Sequence, residues 1–198
     1  MKTIYPVISA ALLILLFNCR PLMGNKPADN PDLEVRPPVL IDKSVNLYEA
    51  GDFFLAGQPE KGTYDTLYSL GLKMVINIRT EEEMEIHALE AYDEKDYVRE
   101  IGLDYIQVPI GGPAGFTPEA IAEIDKALKK TRGRVLIHCR TAGRATLAWM
   151  AWLIQYHDHS IDQAVDLGKN AHFSFPLEDL LGYPVTMKKA GQEKVHDH

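Results

Sequence analysis

The sequence predicts a three-layer α/β domain, with a mostly parallel central sheet flanked by helices. Three observations carry that expectation. Apolar, largely β-branched runs at residues 73–78, 105–110 and 135–137 have the length of buried strands. Segments of helical period alternate with them. Glycine, proline or a capping side chain stands at most junctions, and such alternation joins parallel strands through helical crossovers.

In chain order, residues 53–56 form a short strand stopped by Gly57 and Pro59. Residues 62–70 form a short helix with Tyr64, Leu67, Tyr68 and Leu70 on its apolar side and Gly71 at its C-terminal end. The strand at 73–78 leads through Arg79 and Thr80 into a helix with Glu81, Glu82 and Glu83 in its first turn, where the dipole favours acids. That helix is expected to run to about Glu100, with Gly102 ending it. After the strand at 105–110 comes a glycine-rich loop, 111–116. Thr117 then caps a helix with Pro118 at its first position and Ile121, Ile124 and Leu128 on its buried stripe. Ser160 and Gln163 form a capping box for a helix to about Asn170, and residues 176–181 give one more short helical piece.

The centre of the chain is residues 134–153, RVLIHCRTAGRATLAWMAWL. A buried strand runs into the tight loop 138–144, then into a helix at 145–156 that is apolar on most faces. Strand, glycine-containing loop and helix N-terminus together make an oxyanion site, because unpaired N–H groups converge there and the dipole favours negative charge. A cysteine at its mouth is favoured as thiolate, which makes Cys139 the candidate nucleophile. Arg140, Thr141, Ala142 and Gly143 supply the cradle. Arg144 offers a planar fork to two oxygens. The bland alternative, an inert core cysteine, gives no reason for an arginine at the start of an apolar helix. Such sheets bind ligands beyond the carboxyl ends of their strands, where this loop, Arg79 and Gly111 all fall.

The His138-Cys139 pair with Arg144 resembles the signature of the cysteine-dependent protein tyrosine phosphatase superfamily. Four residues separate Cys139 from Arg144 where that signature has five, and four is the spacing of the rhodanese sulfurtransferases. It is also the spacing of a bacterial tyrosine-phosphatase-like family, the phosphatase-like domain of beta-lactamase hydrolase-like proteins. LAGQP at 55–59, MVINIR at 74–79 and VPIGGPAGFTPE at 108–119 are similar to segments of that family in its order, over about residues 45–157. Ala142 stands where both relatives usually carry glycine. The resemblance implies a dual-specificity-phosphatase-like fold and a thiophosphoryl-cysteine intermediate on Cys139. It implies that His138 tunes the thiolate by hydrogen bonding. The acid that protonates the leaving oxygen sits in the family on the loop that here reads Gly111-Gly112, so the general acid is unidentified. Thr146, one turn into the helix, either lends a hydroxyl to the thiolate or packs. Arg79 either faces the substrate or pairs with Glu82 or Glu83.

Three functions follow. A phosphatase-like hydrolase acting on a small-molecule or phosphoprotein oxyanion is preferred. A rhodanese-like sulfurtransferase using a Cys139 persulfide is the alternative, favoured by the short loop, the absent acid and Arg140. An inactive anion- or phosphopeptide-binding module is the third. No cofactor or metal is expected. A net charge of −7 without a basic stripe argues against nucleic acid, and 46% hydrophobic residues supply a sizeable core.

Two cysteines, Cys19 and Cys139, leave no disulfide framework. Residues 1–18 read as a signal peptide of the lipoprotein type. Lys2 begins it, and the apolar run 8–17 is too short to span a membrane and ends before Cys19 in a loosened lipobox. On that reading Cys19 is lipidated and anchors the protein at the bacterial cell envelope. Residues 19–44 are expected to be a flexible tether, 45–187 the phosphatase-like domain and 188–198 a disordered tail.

Overall fold

A computed structural model describes residues 33–172 and 177–184. The expected signal segment, Cys19 and the tail at 188–198 lie outside those residues.

One six-stranded sheet organises them, in the order β1 (Val35–Asp42), β2 (Leu47–Gly51), β3 (Phe53–Ala56), β6 (Arg134–His138), β4 (Leu72–Asn77) and β5 (Asp104–Gln107). β3, β6, β4 and β5 run parallel, while β1, β2 and β3 form an antiparallel meander. Along the central strands, successive side chains enter two different cores. Phe53, Leu55, Met74, Ile76, Val135 and Ile137 face one, and Phe54, Ala56, Val75 and Leu136 face the other. Strands buried on both faces need apolar residues at every position, which is why they read as continuous runs rather than alternating ones.

The first core is covered by α4 (Pro118–Leu128), α5 (Gly143–Tyr156), α6 (Ile161–Gly168) and α7 (Leu177–Leu181). The second is covered by α1 (Lys61–Ser69) and α3 (Glu94–Glu100). Between β4 and α3 lies α2 (Glu81–Glu90), which buries no residue. The layers therefore follow the expected α/β architecture, and β3 and β4, which flank β6, end beside the cysteine loop.

Three elements depart from the sequence reading, the first being β2, not expected beside the strand at 53–56. The stretch assigned to a tether contributes β1. Its Pro37 and Pro38, which suggested an irregular segment, are tolerated because β1 is an edge strand paired on one side only. The single helix expected from Glu81 to Glu100 is broken into α2 and α3. Asp93 starts α3 by accepting the Asp96 N–H at 2.9 Å, and the break turns Glu94 into the interior.

Candidate active site

β6 delivers Cys139 to the carboxyl edge of the sheet, between the ends of β3 and β4. The Cys139 N–H still bonds to Ala56 O at 3.1 Å, and its side chain is 1% exposed. The loop then runs beside the segment following β3. Gly57 and Thr141 face each other in an isolated antiparallel bridge, and the Gln58 N–H donates to Arg140 O at 3.2 Å. Gly57 is needed for this approach, since a Cβ there would lie 2.8 Å from Val45 O and 3.1 Å from Arg140 O.

Ala142 turns the loop with φ 73°, a left-handed conformation that costs an L-residue about 1–2 kcal/mol. Its methyl is fully buried. The turn starts α5 at Gly143, two residues earlier than the sequence suggests, with no side-chain cap. The N–H groups of Gly143, Arg144 and Ala145 have no backbone acceptor among the described residues. They are the first-turn donors that an oxyanion would satisfy.

Arg144 is clamped from two sides. Nη1 donates to Ile110 O at 2.7 Å and to Glu83 Oε2 at 2.9 Å, and Nη2 donates to Glu83 Oε1 at 2.6 Å. Burial works against its charge, but the Glu83 hydrogen bonds and then the Cys139 sulfur raise its pKa above the ordinary value. Gly111 makes the contact with Ile110 possible. Its φ is 105°, and a Cβ there would sit 3.2 Å from Arg144 Nη1.

Glu83 does two jobs. It closes a capping box with Thr80 at the start of α2, and it carries Arg144. Burial favours its protonated form, yet the Arg144 hydrogen bond and the Thr80 amide outweigh burial and lower its pKa. An ionised Glu83 cannot donate a proton near neutrality, and Glu81 and Glu82 are exposed in the same turn. The glycine loop offers no acid either, as Gly111 and Gly112 lead into a single 3-10 turn, Gly112–Ala114.

The remaining expected residues divide. Arg140 is exposed beside the loop mouth, as is Thr141. Arg79 is buried. At 8% exposure its Nη1 donates to Gln58 Oε1 at 2.5 Å and its Nη2 to Glu83 O at 3.0 Å, so it pairs within the protein rather than presenting charge to a substrate. The Thr146 hydroxyl is buried without a partner among the described residues. The His138 ring bonds to Glu94 Oε1 at 3.0 Å, in the layer opposite the core that holds Cys139, so its influence on the sulfur is indirect. Sequence reasoning did not single out Gln58, Asn77 or Glu94. Nothing in the pattern distinguishes a buried glutamate at a helix start from the solvated acids common there.

The family model for the phosphatase-like domain of beta-lactamase hydrolase-like proteins matches residues 50–155, more than half of the chain. The chain belongs to this family. Its matched residues span β3 to α5 and include the whole cysteine loop. No curated protein matches the chain. Solved structures similar to this chain include a putative phosphatase (DUF442) from Shewanella putrefaciens CN-32, with 22% identity, TM-score 0.54 and coverage of 70% of this chain and 89% of that one. Another is P. aeruginosa TpbA, a cysteine-to-serine variant in complex with phosphotyrosine (15% identity, TM-score 0.53, 81% and 90% covered). A third is the kinase associated phosphatase with its catalytic-site cysteine replaced by serine (20% identity, TM-score 0.53, 67% and 89% covered). At these identities the likenesses show the fold, which is dual-specificity-phosphatase-like as the sequence predicts. The chain is therefore a phosphatase-like hydrolase of this family.

Proposed function

We propose that this phosphatase-like chain hydrolyses phosphomonoesters through a phosphocysteine on Cys139. The observation that carries the reading is a buried sulfur at the end of β6, followed by first-turn N–H groups without a backbone acceptor among the described residues and a guanidinium fixed by Glu83 and Ile110. The Cys139 thiolate attacks phosphorus, an S–P bond forms, and the ester O–P bond breaks with the electron pair leaving on oxygen. Water then attacks the phosphocysteine and releases inorganic phosphate and the thiolate. Arg144 and the loop amides stabilise charge on the transferring oxygens, and Arg140 at the mouth favours substrates with a further negative charge.

No acid lies on the 111–112 loop, so the leaving oxygen departs unprotonated. General acid help is typically worth about 10²–10⁴-fold, and its loss falls on poor leaving groups. Turnover is therefore expected to be slow and steeply dependent on leaving-group pKa, with p-nitrophenyl phosphate hydrolysed and phosphoserine nearly inert. Cys139→Ser should abolish it. Rapid thiocyanate formation from thiosulfate and cyanide, with negligible aryl phosphate hydrolysis, would instead establish sulfur transfer through a Cys139 persulfide. Binding of phosphotyrosine without either turnover would make the chain an anion-binding module.

Attachment to the cell envelope through lipidated Cys19 is part of the same proposal, supported by Lys2 and the apolar run before the cysteine. One acyl chain binds reversibly, so stable anchoring requires two or more. Cys19→Ala should move the protein from the membrane to the soluble fraction. Unchanged fractionation would defeat the assignment.

A further inference from the structure

Glu94 is 1% exposed at the first position of α3, and its carboxylate is where three neighbouring strands meet. Oε1 accepts from His138 Nε2 at 3.0 Å and from Asn77 Nδ2 at 2.9 Å, while Oε2 accepts from Gln58 Nε2. His138 ends β6, Asn77 ends β4 opposite it in register, and Gln58 follows β3. Burial favours the neutral acid, but the His138 charge and hydrogen bond, then the bond from Gln58, hold its pKa down to about 2. An ionised carboxylate at 3.0 Å requires a proton on His138 Nε2.

From this point connections run to both ends of the cysteine loop. His138 is joined directly to Cys139. The Gln58 N–H donates to Arg140 O, and Gln58 Oε1 accepts from Arg79 Nη1. Asn77 Oδ1 accepts the Arg79 N–H at 2.8 Å, and Arg79 Nη2 donates to the carbonyl of Glu83, which carries Arg144. A buried carboxylate is a poor device for stability, because well-packed apolar residues of similar volume often do as well or better. Its connections give it a different use.

We propose that Glu94 is a positioning residue for the reaction, fixing the His138 ring and the Gln58–Arg79–Glu83 chain that together set Cys139 and Arg144. The inference rests on Cys139 being the reactive group, and misplacement of reacting atoms by about 1 Å can cost about 10²-fold.

The test compares wild type, Glu94→Gln, His138→Gln and the double variant. Two rates are measured, p-nitrophenyl phosphate turnover and alkylation of Cys139 by iodoacetamide. Glu94→Gln keeps the side chain's shape but loses its charge and presents an N–H to the donor Gln58. It should lower kcat about 10- to 100-fold with KM changed by less than about threefold, and slow alkylation at least about fivefold. Because Glu94 holds both the His138 ring and the Gln58 chain, its loss already includes that of the His138 contact, and the double variant should be no slower than the slower single one. Rates within about twofold of wild type, or losses that multiply, would overturn the proposal. Should Glu94→Gln fail to fold, the nitrogen NMR spectrum of His138 in wild type decides, since a bare Nε2 contradicts the proposal and a protonated one supports it. A wild type that does not hydrolyse aryl phosphates defeats the phosphatase reading alone, because alkylation still reports on Glu94.

Discussion

Arg144 meets a carboxylate with both terminal nitrogens before any substrate arrives. Two roughly parallel N–H···O bonds fix the plane of the guanidinium as well as its place, so the fork enters the reaction already oriented. A lysine at this position keeps a positive charge near Glu83 but cannot fill the two-oxygen geometry or reach Ile110 O from the same site. Arg144→Lys should lower kcat for p-nitrophenyl phosphate about 10²–10³-fold, the usual cost of removing one transition-state donor, with little change in thermal midpoint. Steady-state kinetics beside a melting curve separates the two. At this scale Cys139 and Arg144 were legible because their spacing is encoded along the chain. Glu83 was legible as a helix cap, but its grip on Arg144 was not. That contact spans 61 residues and depends on which way the capped turn faces, which no local pattern records.

The glycine loop between β5 and α4 sits against Arg144, and the conformations of its residues decide what chemistry it can host. Gly111 at φ 105° cannot take a side chain without pressing on Arg144 Nη1. Gly112 differs. Its φ is 55°, in the left-handed region that aspartate tolerates, it is exposed, and a Cβ would meet only Thr80 Cγ2 at an ordinary 3.4 Å. Gly112→Asp should therefore fold, and it should supply the missing proton donor. The expected gain is about 10-fold or more in kcat for phenyl phosphate, with little gain for p-nitrophenyl phosphate, whose leaving group needs no acid. Equal changes for both substrates would show that the loop is not where the leaving oxygen departs. Elements were legible where burial on two faces or a capping residue marked them, as for β3, β4, β6, α4 and α6. β1 was missed because its prolines and charges suit an edge as well as a tether. The break between α2 and α3 was missed because Asp93 looks like any other acid on an exposed helix until Glu94 is seen to turn inward.

Across the whole molecule, the buried ionisable groups set a window of pH in which the fold is most stable. On the acid side, Glu94 is held down to about 2 and Glu83 is also lowered, both against an ordinary value of 4.5. Their contributions are complete above 4.5 and are lost as pH falls toward 2, because the unfolded chain takes up protons first. His87 moves the limit in the same direction. Burial lowers its pKa below the ordinary 6.5, so the unfolded chain again binds the proton more readily as pH drops through that value. On the alkaline side, burial raises Tyr64, Tyr92 and Tyr105 above the ordinary 10.0. Their neutral forms stabilise the fold below 10 and cease to do so above it. The free energy of unfolding should thus form a plateau from roughly pH 7 to 10 and decline on both sides, with the steepest acid loss between 4.5 and 2. Urea unfolding across pH checks the shape. The Glu94→Gln variant isolates its main source, since a side chain that cannot titrate should flatten the curve between 4.5 and 2 while a decline below 6.5 persists; the alkaline limb should shrink as well, because the Glu94 charge helps burial to raise the three tyrosines. An acid limb unchanged by that substitution would assign the loss to Glu83 and the surface carboxylates instead.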